Sequence, residues 1–158
     1  MAGKVKPVPE GYRTVTPYLS VQHALDAIAF YKKAFNAEEL FRIDMPGGKI
    51  GHAELQIGDS RIMLADEFPD MPDAVTKSPR SLGGSSMGLN VYIDNVDARF
   101  KQAVDAGATV KRPVTDQFYG DRSGTLEDPF GHIWTLSTHV EDVSPDEMKK
   151  RIAAMPKA

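Results

Sequence analysis

The segment with the clearest structural signal is residues 125–136, which read TLEDPFGHIWTL. Apolar and polar residues alternate on both sides of a centre that contains Asp128, Pro129 and Gly131. Proline presets one φ angle of a turn, and glycine supplies a position with positive φ. The segment is therefore predicted to form a strand, a tight turn and a second strand.

Upstream of this hairpin, the chain contains the signals for a helix between strands. Residues 89–93 alternate as a strand, and Asp94 or Asn95 can cap the helix that follows. Apolar residues at 96, 100, 103 and 104 give this helix a buried face, and Gly107 ends it. With further strands at 109–114, 122–127 and 132–138, the second half of the chain reads βαβββ.

The first half contains the same order of elements. A strand is predicted at 12–21, and a helix at 24–35 ends at Asn36. Three strands follow at 38–44, 50–57 and 60–66, separated by the turn sequences PGG and GD. The two halves also match at a constant offset, since Val21 corresponds to Ile93 (93 − 21 = 72) and Leu64 to Leu136 (136 − 64 = 72). We therefore predict an internal duplication.

These elements define the expected domain organisation. One domain is predicted at 12–138, with module one at 12–66 and module two at 87–138. The loop between them, 67–86, is rich in Pro, Ser, Gly and Asp and shows no element, and is either a lid or a solvated linker. In the tail, 139–158, Ser144 and Pro145 start a short helix that extends to about residue 155.

The composition argues against several classes of function. With 158 residues and a formal net charge of −3, the chain shows no electrostatic signal for nucleic acid or a membrane surface as partner. No apolar run reaches the roughly 20 residues that span a bilayer. The absence of Cys excludes disulfides and thiolate chemistry and fits a reducing compartment. We expect a cytoplasmic protein.

The sequence resembles the vicinal-oxygen-chelate superfamily (the glyoxalase/bleomycin-resistance/dioxygenase fold) over residues 12–138. The two βαβββ modules carry the resemblance, together with IAFY at 28–31 and DPFGH at 128–132. Within the superfamily, the resemblance is strongest to a subgroup of glyoxalase-like proteins that is related to phosphonate-metabolism proteins. It implies an α+β fold in which two βαβββ modules form a cup-shaped, mostly antiparallel sheet with helices on the outer face. It also implies a homodimer.

The resemblance places the metal-binding positions of metal-dependent members at Thr16, Met63, Gly88 and Thr135. None of these is His, Glu or Asp, and Thr, Met and Gly are poor ligands for a hard divalent ion. We therefore expect no metal at these positions and no cofactor.

Other residues are candidates for ligand binding or chemistry in the cup. His52 and Glu54 share one face of a predicted strand, where they form either a base with its orienting partner or two half-exposed polar side chains. Asn90 and Thr135 are expected to point into the cup. Tyr119 and Arg122 are interpreted as its rim, although Arg122 has the alternative of a surface pairing with Asp121 or with other neighbours.

Two functions follow from these candidates. The first is a protein that binds a small polar molecule in the cup without the usual metal. The second is an enzyme of the lyase, isomerase or dioxygenase type that uses His52 and Glu54. The fold alone does not decide between them, because one scaffold hosts many reactions.

Overall fold

The computed structural model describes residues 5–72 and 74–156 and divides into two compact units, one up to Gly84 and one from Ser85. The first unit contains β1 (Tyr18–Val21), α1 (Ala24–Phe35), β2 (Glu38–Asp44), β3 (Ile50–Ile57), β4 (Ser60–Asp66) and α2 (Pro79–Leu82). The second contains β5 (Gly88–Tyr92), α3 (Val96–Ala106), β6 (Thr109–Asp116), β7 (Asp121–Glu127), β8 (Ile133–His139) and α4 (Pro145–Ala153).

Each unit is built on an open four-stranded sheet, ordered β1-β4-β3-β2 in the first and β5-β8-β7-β6 in the second. The first strand of each module is parallel to its last strand, and the other pairs are antiparallel. One helix covers each sheet: α1 packs against β2, β3 and β4, and α3 packs against β6, β7 and β8. The predicted α+β fold with two βαβββ modules is confirmed.

The strand registers agree with an internal duplication. Tyr18 lies opposite Met63, and Asn90 lies opposite Thr135, so that both positions are shifted by 72 (90 − 18 and 135 − 63). On the third strand of each module the shift is 71. Glu54 lies opposite Met63 in the first module and Thr125 lies opposite Thr135 in the second, so that Glu54 corresponds to Thr125 (125 − 54). The paired positions on β1, β3 and β4 therefore have defined counterparts on β5, β7 and β8.

Each sheet buries the face that its helix covers. The largest fully buried side chains are Leu19, Tyr31, Ile50, Leu55 and Leu64 in the first unit and Leu126, Trp134 and Leu136 in the second. Burial of one large apolar side chain contributes about 1.5–3 kcal/mol, so these residues dominate the stability of each unit. The opposite face carries polar side chains, as the alternation predicted.

The hairpin between β7 and β8 is organised by one buried carboxylate. Oδ1 of Asp128 accepts hydrogen bonds from the backbone N–H groups of Phe130 and His132, both at 2.9 Å. Oδ2 accepts a third from Nε1 of Trp134, also at 2.9 Å. Gly131 has φ 92°, the left-handed conformation for which the turn needs glycine. Asp128 thus links the turn to the core of the second unit.

Two sequence predictions need correction. The first strand begins at Tyr18 rather than at residue 12, because Pro17 has no N–H for the ladder and only four residues pair with β4. The loop 67–86 is not free of secondary structure, since α2 lies within it. Ser78 caps that short helix by accepting a hydrogen bond from the N–H of Ser81, and Pro79 occupies its first turn.

The remaining elements agree with the prediction to within about two residues. The C-terminal helix α4 starts where expected, with the Ser144 hydroxyl accepting from the N–H of Glu147. Asn36 ends α1 in the left-handed conformation, with φ 53°. Within the described ranges, no helix combines the length and the apolar character that crossing a membrane requires.

Candidate functional site

The exposed face of the second sheet forms a concavity of about 410 Å³. The register of β5, β7 and β8 brings Asn90, Thr125 and Thr135 together on this face, because Thr135 lies between the other two strands. The concavity is lined by Asn90, Arg112, Pro113, Thr115, Gln117, Tyr119, Ser123, Gly124, Thr125 and Thr135. Three of the sequence candidates, Asn90, Tyr119 and Thr135, therefore belong to one site.

Hydroxyl and amide groups dominate the floor of this concavity. The hydroxyls of Thr125 and Thr135 share a hydrogen bond of 3.0 Å, and either oxygen can act as donor. Ser123 is buried beside them on the same face of β7, and Asn90 is exposed on β5. Each hydroxyl offers both a donor and an acceptor, so the floor can bind neutral or charged polar groups by hydrogen bonds.

The loop that carries Tyr119 is held tightly. Gln117 donates its backbone N–H to the carbonyl of Asp121 at 2.7 Å, and Gly120 donates to the carbonyl of Gln117 at 3.1 Å. From α4, the Arg151 guanidinium donates to the carbonyl of Phe118 at 3.1 Å. These bonds fix the backbone on both sides of Tyr119, whose ring forms one wall of the concavity.

Arg122 does not join this site. It lies opposite Thr138 on the face of β7 that α3 covers, three residues from Thr125 and therefore on the other side of the strand. Its guanidinium donates to both carboxylate oxygens of Asp97, at 2.8 and 2.7 Å, and to Asp116 at 3.0 Å. These bonds lower the pKa of Asp97. Arg122 thus forms ion pairs on the side of the sheet that α3 covers, and it is not among the residues that line the concavity.

Of the two alternative pairings, Arg122 forms the one with other neighbours, Asp97 and Asp116, and not the one with Asp121. Asp121 is buried and accepts a hydrogen bond from the Tyr92 hydroxyl at 2.8 Å. Its other oxygen lies 2.8 Å from Nδ1 of His139, whose Nε2 lies 2.9 Å from Asp142. The hydrogen bond to Asp121, followed by that to Asp142, raises the pKa of His139. Tyr92, Asp121 and His139 are distant along the chain, so the sequence analysis does not bring them together.

Arg112 was not singled out from the sequence, although it lines the concavity. It lies opposite Thr125 in the register of β6 and β7. Two irregularities in this pairing, between Val110 and Arg112 and between Arg112 and Thr115, change which face of β6 each residue occupies. Simple alternation therefore could not place Arg112.

His52 and Glu54 lie on the first sheet, within a cluster of their own. Nε2 of His52 is 3.4 Å from Oε1 of Glu54, and Nδ1 is 2.9 Å from the Tyr18 hydroxyl. The adjacent Tyr12, then His52 and Arg61, lower the pKa of Glu54, which favours the carboxylate. The Tyr18 hydroxyl, the His52 imidazole and the Glu54 carboxylate thus form a chain of neighbouring polar groups.

Comparison with known proteins identifies the family. Residues 14–136 match the glyoxalase/bleomycin resistance protein/dioxygenase superfamily. The chain belongs to this superfamily. An uncharacterized protein of Mycobacterium bovis is 42% identical over 140 residues, which cover 89% of this chain and 92% of that protein.

Solved structures of the superfamily fold match as well. A gene product of Arabidopsis thaliana superimposes with a TM-score of 0.64 at 27% identity, over 80% of this chain and 98% of that one. TioX of Micromonospora sp. ML1 superimposes with a TM-score of 0.63 at 24% identity, over 81% and 99% respectively. The second likeness shows the fold alone.

The superfamily's metal positions do not fit a metal in this member. Thr16 and Met63 in the first unit, and Gly88 and Thr135 in the second, offer no imidazole or carboxylate. Over residues 5–72 and 74–156, no group of three or more His, Cys, Asp or Glu side chains is arranged to hold an ion. We therefore derive no chemistry through a metal at these positions.

Proposed function

We propose that this superfamily member binds a small polar organic molecule in the concavity of the second module, without a divalent metal. The observation that carries the proposal is the lining, which combines the hydroxyls of Thr125 and Thr135 with the amide of Asn90 and the ring of Tyr119. Pockets of about 300–1,000 Å³ are typical of small-molecule sites, and the volume here lies in that range.

The hydrogen-bonding side chains and the aromatic ring of this site determine how tightly it can bind a ligand. A neutral hydrogen bond contributes about 0.5–1.5 kcal/mol to binding, so several are needed to hold a small ligand. The aromatic wall of Tyr119 adds apolar contact area at little entropic cost, because its loop is already held in place. A planar or compact molecule with several polar groups matches these features best.

The test is ligand-observed NMR on untagged protein, with a panel of small aromatic alcohols, amides and carboxylates, before and after treatment with EDTA. Binding is expected to persist after EDTA. The variant Thr135→Val is expected to weaken binding about 2- to 10-fold, the equivalent of one hydrogen bond. Thr109→Val, an exposed position of the same module outside the lining, serves as control. Affinity that disappears with the metal would refute the proposal.

A second candidate function is an enzyme that uses the first module. The chain from Tyr18 through His52 to Glu54 favours it, because a carboxylate that orients an imidazole beside a hydroxyl is an arrangement suited to proton transfer. Metal analysis of untagged protein, and turnover of α-keto-aldehyde–thiol adducts by wild type and His52→Gln, would test it. The absence of both metal and turnover would end its glyoxalase version.

The assembly and location belong to the same proposal. We propose a homodimer, on the strength of the family resemblance, and a cytoplasmic location, because a chain without Cys fits a reducing compartment. Light scattering over a range of concentrations measures the assembly, and a monomer throughout would contradict the dimer.

A further inference from the structure

Arg112 differs from the other cations of its sheet. Lys111 pairs with Glu127 at 2.5 Å, and Arg122 is bound by Asp97 and Asp116. Arg112 is exposed at the concavity, and within the described residues it has neither an ion pair nor a side-chain hydrogen bond. Its guanidinium is available to a ligand.

The internal duplication shows what Arg112 replaces. Arg112 lies opposite Thr125, and the corresponding pair of the first module is Phe41 opposite Glu54. A carboxylate at position 125, as at 54, would lie directly across the strands from Arg112 and would pair with it. The second module instead combines the cation with a neutral hydroxyl.

The lining as a whole has a single sign of charge. Arg112 is its only charged member among the described residues, and the others are neutral or apolar. In the first module the positions that correspond to Ser123 and Thr125 are His52 and Glu54, whose Nε2 and Oε1 atoms lie 3.4 Å apart. The two modules have therefore diverged. In the first module an imidazole and a carboxylate contact each other, and in the second a guanidinium lies among neutral side chains.

We propose that the ligand of the second module is an organic anion whose carboxylate binds Arg112, with its remaining body along Tyr119 and the Thr125–Thr135 floor. This inference rests on the proposed function and adds the charge class of the ligand. Guanidinium presents two parallel N–H donors that match a carboxylate, and such charge-assisted bonds are about twice as strong as neutral ones.

Benzoate and benzamide are a suitable pair of probes, because they have the same shape and differ in charge. Titrations of ¹⁵N-labelled protein at low salt are expected to show benzoate binding about tenfold or more tighter than benzamide. Arg112→Gln should reduce the affinity for benzoate to that for benzamide and leave the affinity for benzamide unchanged. Lys101→Gln removes the same charge from an exposed position on α3 outside the lining, and should preserve the preference.

The outcomes separate this inference from the proposed function. Equal affinity for both probes in the wild type, or a preference that survives Arg112→Gln in a folded variant, overturns the anion assignment and leaves the binding site standing. The absence of shifts at the concavity with either probe overturns both. A preference for benzoate that Arg112→Gln alone abolishes, and that weakens with added salt, supports the assignment.

Discussion

Asp128 offers the sharpest test of how the fold is stabilised. Its carboxylate is buried and accepts from two backbone N–H groups and from Nε1 of Trp134, all at 2.9 Å. Hydrogen bonds to a charged group contribute about 1.5–3 kcal/mol each. Because the three share one carboxylate and are not additive, we expect Asp128→Ala to cost about 3–5 kcal/mol of unfolding free energy.

A second variant guards against complete unfolding, since domains of this size have only about 5–15 kcal/mol of stability. In Asp128→Asn the amide oxygen still accepts from the two backbone N–H groups. The NH₂ group then takes the place of Oδ2 and faces the indole N–H of Trp134. We expect Asp128→Asn to lower the free energy of unfolding by about 2 kcal/mol, mainly because two donors then face each other.

The assay is urea unfolding followed by circular dichroism and by fluorescence of Trp134, the single tryptophan of the chain. The control is Asp59→Ala at the corresponding turn of the first module, where Asp59 is exposed and, among the described residues, its carboxylate accepts only from the Ser60 hydroxyl. That change should cost less than about 0.5 kcal/mol. A loss below about 1 kcal/mol for Asp128→Ala, or one equal to the control, would refute the reasoning.

Three further predictions concern the C-terminal part of the chain and metals. The pKa of His139 is raised by Asp121 and then by Asp142, so its stabilising effect is complete below its unfolded pKa of about 6.5 and is lost as pH rises through the folded value. The difference in Tm between wild type and His139→Gln should therefore shrink from pH 6 to pH 9, and a constant difference would contradict this account. Gly120→Ala should cost about 1–3 kcal/mol in urea unfolding, because Gly120 has φ 100° and an added Cβ would meet the carbonyl oxygen of Glu141. EDTA should leave the Tm unchanged, and a fall of several degrees would reveal a structural metal.

The boundaries of most elements could be predicted because their signals are local. Asn36 ends α1 in the conformation that its residue type tolerates, and Ser144 starts α4 through a bond to its own third neighbour. The two elements that differ from the prediction also depend on local signals. Ser78 and Pro79 carry a helix start in the loop 67–86, and Pro17 restricts the first strand.

The candidate site was predictable only in part. Asn90 and Thr135 follow from alternation along regular strands, and the structure places both in the concavity. The interpretation of Arg122 as a rim residue follows from the family resemblance and from the donors of its guanidinium, whereas alternation along β7 puts Arg122 on the face opposite Thr125. Alternation does not predict the position of Arg112, because the β6–β7 ladder is irregular on both sides of this residue and the side-chain faces of β6 change there.

The sequence by itself determined the architecture: two copies of one βαβββ module and an Asp-Pro-Phe-Gly-His hairpin. These features depend on spacing, turn chemistry and residue type, all of which are local. Only the tertiary structure decided which charges meet. Arg122 is neutralised by Asp97 and Asp116 while Arg112 is left facing a concavity, since ion pairing depends on strand register and helix packing, which join residues far apart along the chain.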